Sequence, residues 1–169
     1  MAQSTKVDNW PGETHYGIDA GVSIMFTERT NLGYRLGFTA QKNQFLGELS
    51  VEYAEDRYSS IEEVTTSYTT ITTIQKYTQF VQIGLSGRFS PFNPSLINPY
   101  ISLQVGSLFA GNEFAFPLSS SIGSEFMIQL NNGSSLNPYV EYGYQYVTRP
   151  IVGLNLDGFK LKVGLRYLF

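Results

Sequence analysis

Eight separate segments of this chain alternate apolar with polar or small residues, and in each of them Asp, Glu, Lys and Arg keep to one parity. A strand points successive side chains to opposite faces, so each segment predicts a strand with one uncharged face and one face that collects the charges. The last segment shows the rule in its barest form. Phe159, Leu161, Val163, Leu165, Tyr167 and Phe169 alternate with Lys160, Lys162, Gly164, Arg166 and Leu168. The first run sets Tyr16, Ile18, Ala20, Val22, Ile24 and Phe26 against Gly17, Asp19, Gly21, Ser23 and Met25. The second sets Leu32, Tyr34, Leu36, Phe38 and Ala40 against a face bearing Arg35, and the third sets Phe45, Leu49, Val51 and Tyr53 against Glu48 and Glu52. Val81, Ile83, Leu85 and Phe89 then oppose Arg88, and Ile101, Leu103, Val105 and Phe109 oppose Tyr100, Ser102 and Gln104. Ile122, Phe126, Ile128 and Leu130 oppose Glu125, and Val140, Tyr142, Tyr144 and Tyr146 oppose Glu141.

Eight strands of this length predict a closed, all-β, antiparallel up-and-down barrel, and leave open which face is inside. A soluble, lipocalin-like barrel would turn the apolar face inward. An eight-stranded barrel has an interior only just wide enough for side chains or one small ligand, and these Tyr, Phe, Leu and Ile residues overfill it. The inverted arrangement places them in lipid and leaves an inner face of Gly, Ser and Ala among paired acids and bases. That inner set is Asp19, Glu48, Glu52, Glu125 and Glu141 with Arg35, Arg88, Lys160, Lys162 and Arg166, joined by Lys76. Acids and bases in nearly equal number are what buried charge requires. The expectation is therefore a transmembrane barrel, apolar outside and charged inside.

The connections are rich in turn residues: "TERTN", "AGNEF", "SPFNPSLINP" and "NNGSSLNP". One is longer. "EDRYSSIEEVTTSYTTITTIQK" is so rich in Thr, Ile and Tyr that strands three and four are expected to continue past the barrel as a hairpin over 55–75. Asp157-Gly158 reads as a tight turn or a bulge, with Pro150 interrupting the strand before it. Composition closes other routes. The net charge of -3 disfavours nucleic acid, zero Cys removes disulfides and thiolate metal sites, and a single His, His15, gives no His-based metal cluster. No cofactor is expected. No run approaches the roughly 18 apolar residues of a spanning helix. The start shows no apolar signal-peptide core, so "MAQS" reads as a mature start with an added Met.

With these features the sequence resembles the small bacterial outer-membrane barrels of the OmpA/OmpX type. The tail, with Phe169 last, Tyr167 two before it and Leu165 and Val163 at further twofold steps, looks like the signal that their assembly machinery reads. "NPYVEYG" is similar to the Pro-Tyr-x-x-x-Gly opening common in such barrels, and "NPYISLQVG" departs from it in spacing. The resemblance implies one barrel domain over 1–169, located in the bacterial outer membrane, with 1–13 periplasmic. It places "TERTN", the long hairpin, "AGNEF" and the segment near Pro150 outside, and makes "SPFNPSLINP" long for a periplasmic turn. Partners implied are outer-membrane lipid and lipopolysaccharide, the barrel assembly machinery and a host or surface ligand at the hairpin, with the chain a monomer. Outward aromatics near strand ends, Tyr16, Phe26, Phe89, Phe109, Tyr146 and Tyr167, are expected to form interfacial girdles, with Trp10 anchoring the entry.

Several constellations admit two readings. The inner charges are a gate that swaps partners to pass small solutes, or a static network that plugs the lumen and fixes register; the narrow bore favours the plug. His15 is a catalytic base, as in the lipid A-modifying enzymes that share this barrel size, or a rim residue; its place at the start of strand one favours the rim. "SSSIGSE" has hydroxyls with no His nearby, and "GLSG" is not a nucleophile elbow. Glu55, Asp56, Glu62 and Glu63 bind cations or are solvated, Arg29, Arg57 and Arg149 meet lipopolysaccharide phosphates or solvent, and the membrane reading makes the "NGS" sequon incidental. The favoured function is a non-enzymatic barrel with a structural or adhesive role. A narrow solute channel and a lipid A-modifying enzyme are the alternatives.

Overall fold

A computed structural model describes residues 13–27, 30–64, 70–92, 96–130, 133–148 and 156–169, with side chains described in these ranges except over 56–64 and 70–78. Trp10, Arg29, Arg149 and Pro150 lie outside the described residues, as do the side chains of Asp56, Arg57, Glu62, Glu63 and Lys76. Among the described residues the strands are β1 (Thr14–Phe26), β2 (Thr30–Lys42), β3 (Phe45–Val64), β4 (Thr70–Phe89), β5 (Ile97–Ala110), β6 (Glu113–Ala115), β7 (Pro117–Phe126), β8 (Ile128–Gln129), β9 (Ser135–Val147) and β10 (Gly158–Leu168). Segments β6, β7 and β8 follow one another along a single stave, so ten segments make eight staves. All neighbours are antiparallel, and β10 pairs with both β9 and β1, which closes the barrel.

The two breaks in the sixth stave have a common cause. Proline has no N–H to give the ladder. One break, at Phe116, stands beside Pro117; the other, at Met127, stands beside the residue that faces Pro138 across the ladder. A third proline moves a boundary. The turn expected over "SPFNPSLINP" is shorter than the sequence suggested, because β5 already begins at Ile97 and includes Pro99. The Pro99 carbonyl points toward the β4 side and accepts the Ser90 hydroxyl at 2.9 Å. Its ring nitrogen points the same way, beyond Phe89 where β4 has ended, so no ladder hydrogen bond is lost. Asp157 is neither a tight turn nor a bulge: its carboxylate accepts the Val147 N–H at 2.6 Å and ties the end of β9 to the start of β10. The tight turn after β2 places Asn43 at a φ of 54°, and that after β5 places Gly111 at 59°, the left-handed conformation these residue types tolerate.

The register sets the size of the barrel. Paired residues run from Thr14 to Lys42, Phe45, Phe89, Ile101, Ile122, Tyr142 and Leu161, and the circuit returns to β1 at Ile24. A return ten residues from the start is a shear of ten. For eight staves that shear tilts the strands by about 40° and gives a backbone radius of about 8 Å. Points of equal height therefore climb obliquely across the pairs, by about one and a quarter residues per stave.

The outer wall is hydrocarbon. Ile18, Leu36, Leu103 and Ile122 are 58%, 68%, 69% and 65% exposed, an arrangement that water penalises and lipid does not. Along β3 the outward residues are uncharged from Phe45 to Tyr53 and meet Glu55 next, a rise of about 25 Å at that tilt. Aromatics gather at both borders of the band. Phe45 packs on Phe89 and Tyr167 on Phe169 at the end carrying the C-terminus, and Phe114 meets Phe116 edge to face near the other end.

Candidate functional site: the charged lumen

A tilted wall with an alternating pattern turns half of its side chains into a bore with little free width. All ten inner charges, Asp19, Arg35, Glu48, Glu52, Arg88, Glu125, Glu141, Lys160, Lys162 and Arg166, are buried there. Strands contribute unequally. β10 supplies Lys160, Lys162 and Arg166, β3 supplies Glu48 and Glu52, and β1, β2, β4, β7 and β9 supply one charge each. The five acids and five bases sum to zero.

Most of these charges form one connected chain. Arg35 donates to Glu48, and Arg166 lies 3.6 Å from the other Glu48 oxygen, 3.1 Å from Asp19 and 2.7 Å from Glu125. Glu125 accepts from Arg88 at 2.9 Å, Arg88 lies 3.7 Å from Glu141, and Glu141 accepts from Lys162 at 2.6 Å. Arg166 is the hub, fully buried with three acids around it. A second, higher pair stands apart: Lys160 reaches Glu52 at 2.7 Å, and Ser23 donates to the same carboxylate at 2.6 Å. Hydroxyls and an amide add further hydrogen bonds, Ser121 and Tyr100 on Glu141, Tyr139 on Asp19 and Gln104 on Lys162.

Two tyrosines occupy the same layer, each from an Asn-Pro-Tyr triplet. Asn98 and Asn137 point in, the prolines point out, and Tyr100 and Tyr139 point in again. The Arg88 guanidinium stacks 3.5 Å from the Tyr100 ring centre, and Arg166 lies 5.1 Å from that of Tyr139. Each ring lies over a glycine directly across the ladder, Tyr100 over Gly123 and Tyr139 over Gly164. A Cβ at Gly123 would stand 2.4 Å from Tyr100 Cζ. Gly123→Ala is expected to destabilise the barrel by about 1–3 kcal/mol, read as a lowered urea midpoint for unfolding from detergent. An unchanged midpoint would mean that the ring moves aside freely.

Above the charges the bore turns apolar. Met25, Ala54, Phe80, Leu108, Ala110, Ala115, Val147 and Leu156 pack together at the end away from the termini. At the opposite end Leu46, Met127 and Leu168 point inward and are buried. The inner face is thus a salt layer with a hydrocarbon layer above it and a mixed layer below, where Leu46, Met127 and Leu168 sit among Asn98, Ser135 and Asn137; small and charged residues throughout were expected from the sequence. Parity placed Met25, Leu46, Phe80 and Leu168 on the inner side; their stacking at the two ends required the register. His15 sits half-buried at the rim beside the termini, one residue into β1. Phe169, Tyr167, Leu165 and Val163 all line the outer wall of β10 and its end, and the Phe169 backbone exchanges hydrogen bonds with Tyr16 at 2.8 and 3.2 Å.

No family model matches the sequence, and no curated protein matches it. Solved structures do match. The chain is similar to Neisserial surface protein A, with 12% identity, a TM-score of 0.55, and 92% of this chain and 95% of that one covered. It is also similar to the outer membrane protein OprG from Pseudomonas aeruginosa, with 14% identity, a TM-score of 0.59, and 94% and 97% covered. At such identities the likeness is one of fold. That fold is the small, eight-stranded, lipid-facing barrel of bacterial outer-membrane proteins, of the OmpA/OmpX type.

Proposed function

We propose that this chain is a non-enzymatic, non-conducting barrel of the bacterial outer membrane that carries a surface interaction element, the ribbon formed by the far halves of β3 and β4. One observation carries the reading. β2 accompanies β3 only as far as Glu55, and β5 accompanies β4 only from Val81, yet β3 and β4 stay paired to Val64 and Thr70. Among the described residues two strand edges therefore stand clear of the barrel, and a free edge is a template for an added strand.

The two edges differ in sequence. The β3 side carries Glu55, Asp56, Arg57, Glu62 and Glu63, charges of the kind that discourage pairing, whereas 70–80 on the β4 side has Lys76 as its one charged residue and neither Gly nor Pro. The β4 edge is the docking edge, and a partner presents it with an extended segment. The sealed bore supports the non-conducting half of the reading.

Bacteria displaying the protein are expected to adhere to epithelial monolayers, and Thr70→Lys with Thr72→Lys is expected to abolish the gain while leaving surface display intact. Equal adherence of the two would overturn the adhesive role. In planar bilayers the purified barrel is expected to be silent, and Glu52→Gln to leave it so because Phe80 and Leu108 still block the bore. Discrete conductance altered by Glu52→Gln or Arg35→Gln would establish the channel instead.

A further inference from the structure

Among the described residues, a concavity in the outer wall has a position that dictates its occupant. Pro99 and Ile101 on β5, Ile122, Gly123 and Ser124 on β7, and Val140 and Tyr142 on β9 line a groove of about 490 Å³, with Pro91 and Phe92 closing its lower end. It exists because the wall is thin there. Gly123 has no side chain, Ser124 and Pro99 are short, and the ring of Tyr100 behind Gly123 forms part of the floor. The Ser124 hydroxyl is covered, so the surface on offer is hydrocarbon and carries no charged group.

We propose that this groove seats one acyl chain of a phospholipid from the leaflet on the side of the termini. The proposal rests on the barrel standing in a membrane, and two features select the occupant. Pro99 lies near the border of the apolar band and Tyr142 near its middle, a rise of about 11 Å that falls within one leaflet's share of a hydrocarbon core about 30 Å thick. At that depth a water-borne ligand does not arrive, and a headgroup would meet no polar partner. A chain held between Ile101, Ile122 and Val140 exchanges with bulk lipid more slowly than one lying on the convex wall elsewhere.

The test is native mass spectrometry of the barrel extracted by mild detergent from vesicles of phosphatidylethanolamine and phosphatidylglycerol. The wild type and Ala20→Phe, which adds an aromatic to the lipid face away from the groove, are expected to retain a phospholipid adduct. Ser124→Phe, which fills the groove, is expected to lose it to the detergent background, with Ser124→Leu as the second filling variant should the first not fold. Heat-modifiable migration on electrophoresis is read for every sample, so that failure of the barrel is distinguished from failure of the site. A bare wild-type monomer, or an adduct that survives both filling variants, would overturn the proposal. So would a wild-type dimer dissolved by Ser124→Phe, since the groove would then seat a second copy.

Discussion

Arg166→Met is expected to lower the stability of the folded barrel by about 3–5 kcal/mol, because it leaves the acids around the hub without their shared cation in a bore that water barely enters. Asp19 keeps the Tyr139 hydroxyl, Glu48 keeps Arg35 and Glu125 keeps Arg88, so each acid retains a partner while the layer as a whole acquires a net negative charge. Urea unfolding from detergent or vesicles measures the loss. Lys42→Met, at an exposed cation on the outside of the turn, serves as the reference and is expected to fall within about 0.5 kcal/mol of the parent. Indistinguishable midpoints for Arg166→Met and Lys42→Met would show that the lumen is hydrated enough to tolerate the imbalance.

The second large effect lies on the other face of the same strand. Val163 points outward, halfway between the heights of Lys42 and Glu55 that bound the apolar band, so Val163→Lys places an ammonium near the centre of the hydrocarbon at a cost of about 2–4 kcal/mol. Val81 also points outward but stands close to the height of Glu55, and Val81→Lys is expected to cost only about 0–1 kcal/mol, because its head reaches the interface. Refolding into vesicles of defined thickness, followed by urea titration, measures both. Equal costs would mean that the tilt and shear have been assigned to the wrong geometry, and no cost at either would deny that this face meets lipid.

The inside and outside of the barrel were legible because lipid imposes a rule with a period of two, and a period of two survives in sequence without any knowledge of partners. Every outward residue of β10 from Phe159 to Phe169 follows from that rule alone. Height did not follow from it. Parity assigns Met25, Phe80 and Leu108 to the bore, but that they meet in one apolar layer depends on the shear, which is set by turns and prolines acting at a distance. The hub was hidden for the same reason. Arg166 reaches Glu48 on β3 and Glu125 on β7, strands that are not its neighbours in the sheet, and such contacts exist only once the sheet has curled shut. The repeated Asn-Pro-Tyr was visible as a motif, whereas the glycines that receive the two rings, Gly123 and Gly164, are named only by the cross-strand register. Strand starts were misjudged where proline intervened, since the penalty for a missing N–H vanishes when the neighbouring strand has already ended, as at Pro99.

The uneven distribution of charge among the strands bears on how such a wall can be completed. Seven staves without β10 would hold five carboxylates against two guanidiniums, an excess of three negative charges facing a narrow space; the arrival of Lys160, Lys162 and Arg166 cancels it in one step. A partly zipped cylinder is thus electrostatically penalised until its seam between β1 and β10 shuts, and the terminal segment serves as the counter-ion for everything threaded before it.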